Sequence, residues 1–327
     1  MKSRHNHFEF EPFTTEKINA LTSKRVGETK VGERIRSLNS DVLPKISYVI
    51  LGISEDIGPQ ANGGNAGSTA AFGAFISRFV NMQINHFLSV DNVLVLGEIQ
   101  ARVVFETIEQ GRALVAELDD FVTTILQPYT DQHCIPIVIG GGHNNAFPII
   151  RAVSQSLQRP IQVINMDPHA DFRRLEGRHS GNPFSTAFQT GYLDFYAVMG
   201  LHQSYNSQYI LDQLTENAFL FSFFDDYLRD KVRFLSDLSV FKARIEQQPF
   251  GVELDMDAIA FMPSSAFTPS GFRIEQARSY ILTMAESRNV RYLHLPEAAP
   301  KTPEAEAIVG KTLAYLVSDF LKANRSI

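Results

Sequence analysis

The chain has 327 residues, 44% hydrophobic and 20% charged, and 30 Lys+Arg against 36 Asp+Glu leave a net charge of -6. This is the composition of an ordinary globular protein; it excludes disorder, collagen and coiled coil, and without a basic field it excludes nucleic acid as a partner. A single cysteine, Cys134, excludes an internal disulfide framework and a thiolate zinc site and suits a reducing compartment.

The opening MKSRHNHFEFEPF scatters charges where a signal peptide needs an apolar core, and no stretch approaches the roughly eighteen apolar residues of a membrane span. The expectation is a cytoplasmic protein off the membrane. Residues 1–44 are polar, of mixed charge and broken by Gly27 and Gly32, and read as a leader packed on the surface. Residues 45–327 read as one domain, with its core starting at Ile46. Short runs rich in Val, Ile and Leu alternate there with helical periodicity, the pattern of βα units around a parallel sheet buried on both faces. Eight strands are expected, at Ser47–Ile53, Val93–Leu96, Ile135–Ile139, Ile161–Asn165, Phe195–Met199, Ala218–Phe221, Gly251–Leu254 and Tyr292–Leu295. The helices between them include Ala101–Leu126, Ala146–Leu157, Ile274–Arg288 and Ala305–Ala323. With no linker and no internal repeat, one α/β domain is expected, its chemistry at the carboxyl ends of the strands.

Three of those strand ends carry suitable residues. After Ile161–Asn165 comes Asp167-Pro168-His169-Ala170-Asp171, whose crowded carboxylates a divalent cation would reconcile; the plain alternative is a loop that caps the next helix. Asp255-Met256-Asp257 ends another buried strand, and its two carboxylates need a bend to converge. Gly140-Gly141-Gly142-His143 follows a third, its glycines allowing close backbone approach and delivering His143 at a helix start. Together they supply His143, Asp167, His169, Asp171, Asp255 and Asp257. Four carboxylates and two imidazoles are too many for one ion and suit two cations about 3.5–4 Å apart. Oxygen-rich ligation without thiolate points to a hard ion such as Mn2+.

These clusters resemble the arginase-type ureohydrolases, a family including arginase, agmatinase and formimidoylglutamase, over about Ser47 to Pro300. The resemblance implies an arginase-like three-layer α/β/α sandwich with a parallel eight-stranded sheet in a single domain. It also implies two Mn2+ per chain on the six residues named, a small amidine or guanidino substrate, and a homo-oligomer. Within the family the chain is most similar to formimidoylglutamase. Gly141-Gly142-His143 has its GGGH form, and Ser180-Gly181-Asn182-Pro183-Phe184 matches its SG-x-PF segment, with Phe184 where arginase carries a proton-shuttling histidine. The loop Gly200–Asn206 lacks the aspartate by which arginase reads an ammonium group.

The implied reaction is hydrolysis of N-formimidoyl-L-glutamate to L-glutamate and formamide by a metal-bridging hydroxide, a step of histidine breakdown. Asp171 would pass a proton toward the leaving amine, His179 would finish the transfer, and Glu297, in Leu295-Pro296-Glu297, would orient the amidinium. Arg173, Arg178, Ser180 and Asn182 would bind substrate, since arginine forks grip carboxylates in bidentate fashion. The alternatives are an arginase- or agmatinase-type guanidino hydrolase releasing urea, a one-zinc deacetylase on the related fold, and a non-catalytic metal-binding homologue.

Overall fold

Runs of apolar residues too short for helices become the strands of one sheet in the computed structural model, which describes residues 6–40, 45–230 and 232–324. The strands are β1 (Phe8–Pro12), β2 (Arg36–Ser37), β3 (Tyr48–Ser54), β4 (Val93–Ala101), β5 (Ile135–Ile139), β6 (Ile161–Met166), β7 (Leu193–Leu201), β8 (Leu220–Phe223), β9 (Phe250–Leu254) and β10 (Val290–Leu295). They lie in the order β1-β4-β3-β5-β10-β9-β6-β7-β8, with β2 also pairing β4. Every pairing among β3 to β10 is parallel. Each of the eight expected strands is therefore found.

All residues of β3, β5, β6 and β9 are buried, as a sheet covered by helices on both faces requires. The covering helices include Ile108–Thr130, Ala146–Leu157, Ile274–Ala285 and Pro303–Ala323. The first starts at the Thr107 cap, whose hydroxyl accepts from the Gln110 N–H, and not at Ala101 as its periodicity suggested. Ala101 is instead the last residue of β4, which β1 holds extended by antiparallel pairing along Gly97–Ala101, and residues 102–106 form the connection from the strand to the cap. Among the described residues, no helix is long and apolar enough to cross a membrane.

The same pairing corrects the reading of residues 1–44 as a surface leader. Where that segment is described, it adds strands β1 and β2 to the sheet, so the sheet has ten strands and not eight. Phe8, Phe10, Phe13 and Ile18 are core residues. The alternation in Phe8-Glu9-Phe10-Glu11 is a strand signal that the surrounding charge obscured. Residues 1–5 and 41–44 of the expected leader lie outside the described residues.

Parallel strands send their carboxyl ends to one edge of the sheet. Five neighbours in the order, β3-β5-β10-β9-β6, thus bring Glu55, His143, Glu297, Asp255 and Asp167 to the same rim.

If the leader is core, Phe8→Ala should destabilise the protein by about 3–5 kcal/mol, the usual cost of removing a buried phenyl ring. Urea unfolding would measure this; a loss under about 1 kcal/mol would return the segment to the surface.

Candidate active site

The loop after β5 is built to turn sharply toward the rim. Gly140 and Gly141 have φ of +86° and +72°, a region that L side chains resist, and the turn delivers His143 into a 3-10 helix, His143–Asn145. A buried carboxylate holds this loop against the one after β3. Glu55 Oε1 accepts from the backbone N–H of Gly142 (2.8 Å) and from the side-chain amides of Asn144 (3.2 Å) and Asn145 (2.7 Å). Its Oε2 accepts from the backbone N–H groups of Ile57 (2.7 Å) and Gly58 (3.1 Å). Donors that are part of the fold replace the water this carboxylate lost on burial.

Three acids from two other loops meet His143. Its Nδ1 lies 2.9 Å from Asp255 Oδ2, 3.0 Å from Asp171 Oδ2 and 3.2 Å from Asp167 Oδ2. One ring nitrogen carries at most one proton, so it can satisfy only one of these three oxygens. Burial and mutual repulsion act on the acids together. Burial, then Asp257 and Asp167, push Asp255 well above the usual carboxylate range, and Asp171 and Asp257 are also raised, chiefly by burial. Burial opposes ionisation of Asp167 too, but hydrogen bonds from His143 and His169 outweigh it and hold that group low. Donor atoms of His143, Asp167, Asp171 and Asp255 all lie within 4.8 Å of one another. Oxygen and imidazole donors packed so closely, with too few protons between them, fit a divalent cation.

His169 and Asp257 stand on the wall of the same cavity, about 270 Å³ in volume. The bend that Asp257 required is present: Asp255 caps a 3-10 turn, and its Oδ1 accepts the Asp257 N–H at 2.6 Å. Asp257 Oδ1 in turn accepts from the Ala266 N–H at 3.0 Å. His169 stacks on Tyr205, centroids 5.5 Å apart. Asp171 and Glu297, both facing the cavity, have positive φ of 47° and 66°, a conformation that costs free energy in a residue with a side chain and tends to persist where function demands it. Glu297 Oε1 accepts the His143 N–H at 2.6 Å, whereas its Oε2 is buried without a partner.

The expected substrate residues divide. Arg173 and Ser180 line the cavity, with the Arg173 guanidinium donating to Asn62 Oδ1 (2.6 Å) and Glu176 Oε1 (2.9 Å). Arg178, Asn182 and His179 are not among the lining residues. Arg178 is half-buried against Asp119, Nε to Oδ2 2.8 Å, and also donates to Asn182 Oδ1 (2.6 Å) and to the Asn144 carbonyl (2.9 Å). Asn182 returns a hydrogen bond to the Gly177 carbonyl at 2.7 Å. Both are committed to holding their own loop, which corrects their expected substrate role. His179 is corrected as proton shuttle for a similar reason. Its Nδ1 accepts the Gly181 N–H at 3.1 Å, its Nε2 faces Glu176 at 3.3 Å, and burial with the positive field of Arg173 and Arg112 pushes its pKa down to about 4. A base that weak holds almost no proton near neutrality.

Sequence reasoning passed over the polar residues beneath the acids. Asn165, two before Asp167 on β6, donates to Asp167 Oδ2 at 2.9 Å. Glu253, two before Asp255 on β9, accepts from Tyr292 Oη at 2.7 Å and pairs with His294 Nδ1 at 2.7 Å. The signal was available: a fully polar side chain inside an otherwise apolar buried strand, at the two-residue period that places it on the ligand's face.

Residues 46–321 match the model of the arginase family. A formimidoylglutamase of Halalkalibacterium halodurans is 26% identical over 63% of this chain and 66% of its own length. One of Macrococcus caseolyticus is 23% identical over 85% of each chain. In three dimensions the chain is similar to the Trypanosoma cruzi formiminoglutamase crystallised with Mn2+, at a TM-score of 0.71 and 20% identity, covering 90% of this chain and 98% of that one.

Two consequences can be measured. Arg178→Gln strands the buried Asp119 carboxylate and should cost about 3–5 kcal/mol in urea unfolding, partly regained when Asp119→Asn is added. His179 is protonated more readily unfolded than folded, so its contribution to stability is complete above pH 6.5 and is lost as pH falls toward 4. Unfolding experiments from pH 4 to 7 should therefore show a shallower slope for His179→Gln than for the parent protein.

Proposed function

The chain belongs to the arginase family, and from that premise we propose that it is a dinuclear manganese hydrolase of linear amidines. Its substrate on this reading is N-formimidoyl-L-glutamate, cleaved with water to L-glutamate and formamide. The observation that carries the reading is the cluster of His143, Asp167, Asp171 and Asp255, which adjoins a cavity whose wall adds His169, Asp257, Arg173 and Glu297. The names of the two bacterial relatives support the substrate, and the Mn2+ of the Trypanosoma cruzi protein supports the metal.

His143, Asp167, His169, Asp171, Asp255 and Asp257 hold the two cations. When bound, the pair supplies a water of lowered pKa and Lewis-acid polarisation of the amidine. Glu297 offers its unpartnered Oε2 to the amidinium N–H groups, keeping the planar carbon over the acid cluster, while its Oε1 stays fixed by the His143 N–H. Asp171 faces the cavity with one oxygen close to His143, and it takes the proton released as water adds to the amidine carbon. It then returns that proton to the glutamate nitrogen as the C–N bond to that nitrogen breaks; the departing carbon keeps the other nitrogen and becomes formamide. Arg173 grips a substrate carboxylate with its guanidinium donors, a contact that agmatine lacks. Ser180, on the same wall, supplies a hydroxyl hydrogen bond.

Manganese-loaded protein should be incubated in parallel with N-formimidoyl-L-glutamate, arginine, agmatine and guanidinobutyrate, and the products identified. Formamide and glutamate from the first are expected; urea from any of the others as the main activity would replace this reading with a guanidino hydrolase. Arg173→Ala should raise KM for the dicarboxylate by roughly 10-fold or more, the worth of one charged hydrogen bond, with a much smaller change in kcat.

A further inference from the structure

We propose that Lys301 is a specificity-determining residue that receives the far, γ-carboxylate of the substrate in an outer chamber of the active site, while Arg173 holds the near one beside the metal centre. The inference rests on the reading of the substrate as an N-substituted glutamate and names what selects its second carboxylate.

The outer chamber is a second cavity, of about 620 Å³. Asn65, His169, Tyr205, Ser265 and Ala266 line both cavities, so the two spaces meet along that shared wall. Arg173, Asp171 and Asp255 line only the inner one, and Lys301 and Thr302 only the outer one. The α-carboxylate of the substrate hangs from the carbon that bears the reacting nitrogen, so an amidine held over the acids keeps it in the inner space with Arg173. The γ-carboxylate sits on the longer arm, which can extend past the shared wall into the outer chamber.

A carboxylate that leaves water needs a cationic donor in return, and Lys301 is the one lysine or arginine on the outer wall. Among the described residues no acid pairs with it, whereas Arg173 already shares its charge with Glu176 at 2.9 Å. The backbone holds Lys301 at the chamber. The Ser265 N–H donates to the Glu297 carbonyl at 3.0 Å and the Ala299 N–H to the Pro263 carbonyl at 2.9 Å, fastening the segment after β10 to the loop that both cavities share. The Lys301 stem then lies across Gly67, where a Cβ would come within 2.8 Å of Lys301 Cε. Thr302, the next residue, caps the helix Pro303–Ala323, its Oγ1 accepting the Ala305 N–H at 3.2 Å. The positive end of that helix adds to the field of the ammonium group. A compact charge on a flexible stem also suits a ligand arm with several rotatable bonds.

The test compares Mn2+-loaded parent protein, Lys301→Met and Lys301→Arg in calorimetric binding of N-formyl-L-glutamate and of N-formyl-L-glutamine, which has an amide in place of the far carboxylate. The parent should bind the glutamate compound roughly 5–10-fold more tightly, between the worth of an exposed ion pair and that of a charged hydrogen bond. Lys301→Met should abolish that preference without weakening the glutamine compound, Lys301→Arg should keep most of it, and added salt should shrink it in the parent. With N-formimidoyl-L-glutamate as substrate, Lys301→Met should raise KM by a similar factor with a much smaller change in kcat. A parent without the preference, or a Lys301→Met variant that retains it, would overturn the inference and leave the proposed reaction standing. Should the parent fail to hydrolyse N-formimidoyl-L-glutamate while Lys301→Met still loses the preference, the reaction is misassigned and the carboxylate site at Lys301 stands.

Discussion

Carboxylates forced together out of water dominate this structure. Asp167, Asp171, Asp255 and Asp257 are gathered at the rim of five neighbouring parallel strands, and burial with mutual repulsion raises three of the four. Such a cluster is unfavourable by itself and becomes favourable only with cationic charge among the acids. Metal affinity is thus a consequence of the fold's topology: β5, β9 and β6 lie close together in one parallel sheet, so the loops that follow them bring His143, Asp255 and Asp167 to one rim.

Around this repulsive centre the protein places neutral donors and fixed carboxylates. Glu55 ties the loop after β3 to the loop carrying His143 through five N–H donors. Arg178 and Asp119 tie the loop after Asp171 to the helix Ile108–Thr130. Asn165, one strand step beneath Asp167, donates to its Oδ2, and Glu253, one step beneath Asp255, lies behind the His143 ring. The left-handed backbone at Asp171 and Glu297 is affordable in this setting because each is over-determined by neighbours: Glu297, for example, receives the His143 N–H and gives its own N–H to the Gly141 carbonyl.

Ligand-type residues were legible because they follow apolar runs in short, dense motifs, and the same runs located all eight parallel strands. Arg173 and Arg178 show where that legibility stops. Both follow the Asp167–Asp171 motif, and sequence proximity cannot tell them apart; the structure turns one to the cavity and packs the other against Asp119. His179 is a similar case, since its neighbours in space, not in sequence, remove its proton. The leader was misjudged because charge in Glu9 and Glu11 masked an alternating strand whose partner, β4, lies far along the chain.

By itself the sequence located the eight parallel strands and the acids and imidazoles that follow them, since apolar periodicity and residue type are local properties carried by a few neighbouring positions. Only the tertiary structure decided which arginine reaches the cavity, that the leader completes the sheet, and that Glu253 with Tyr292 and His294 stands behind His143. Those outcomes depend on contacts between residues some forty to more than one hundred positions apart, and the energy of such contacts is set by burial and register, which no local stretch of chain encodes.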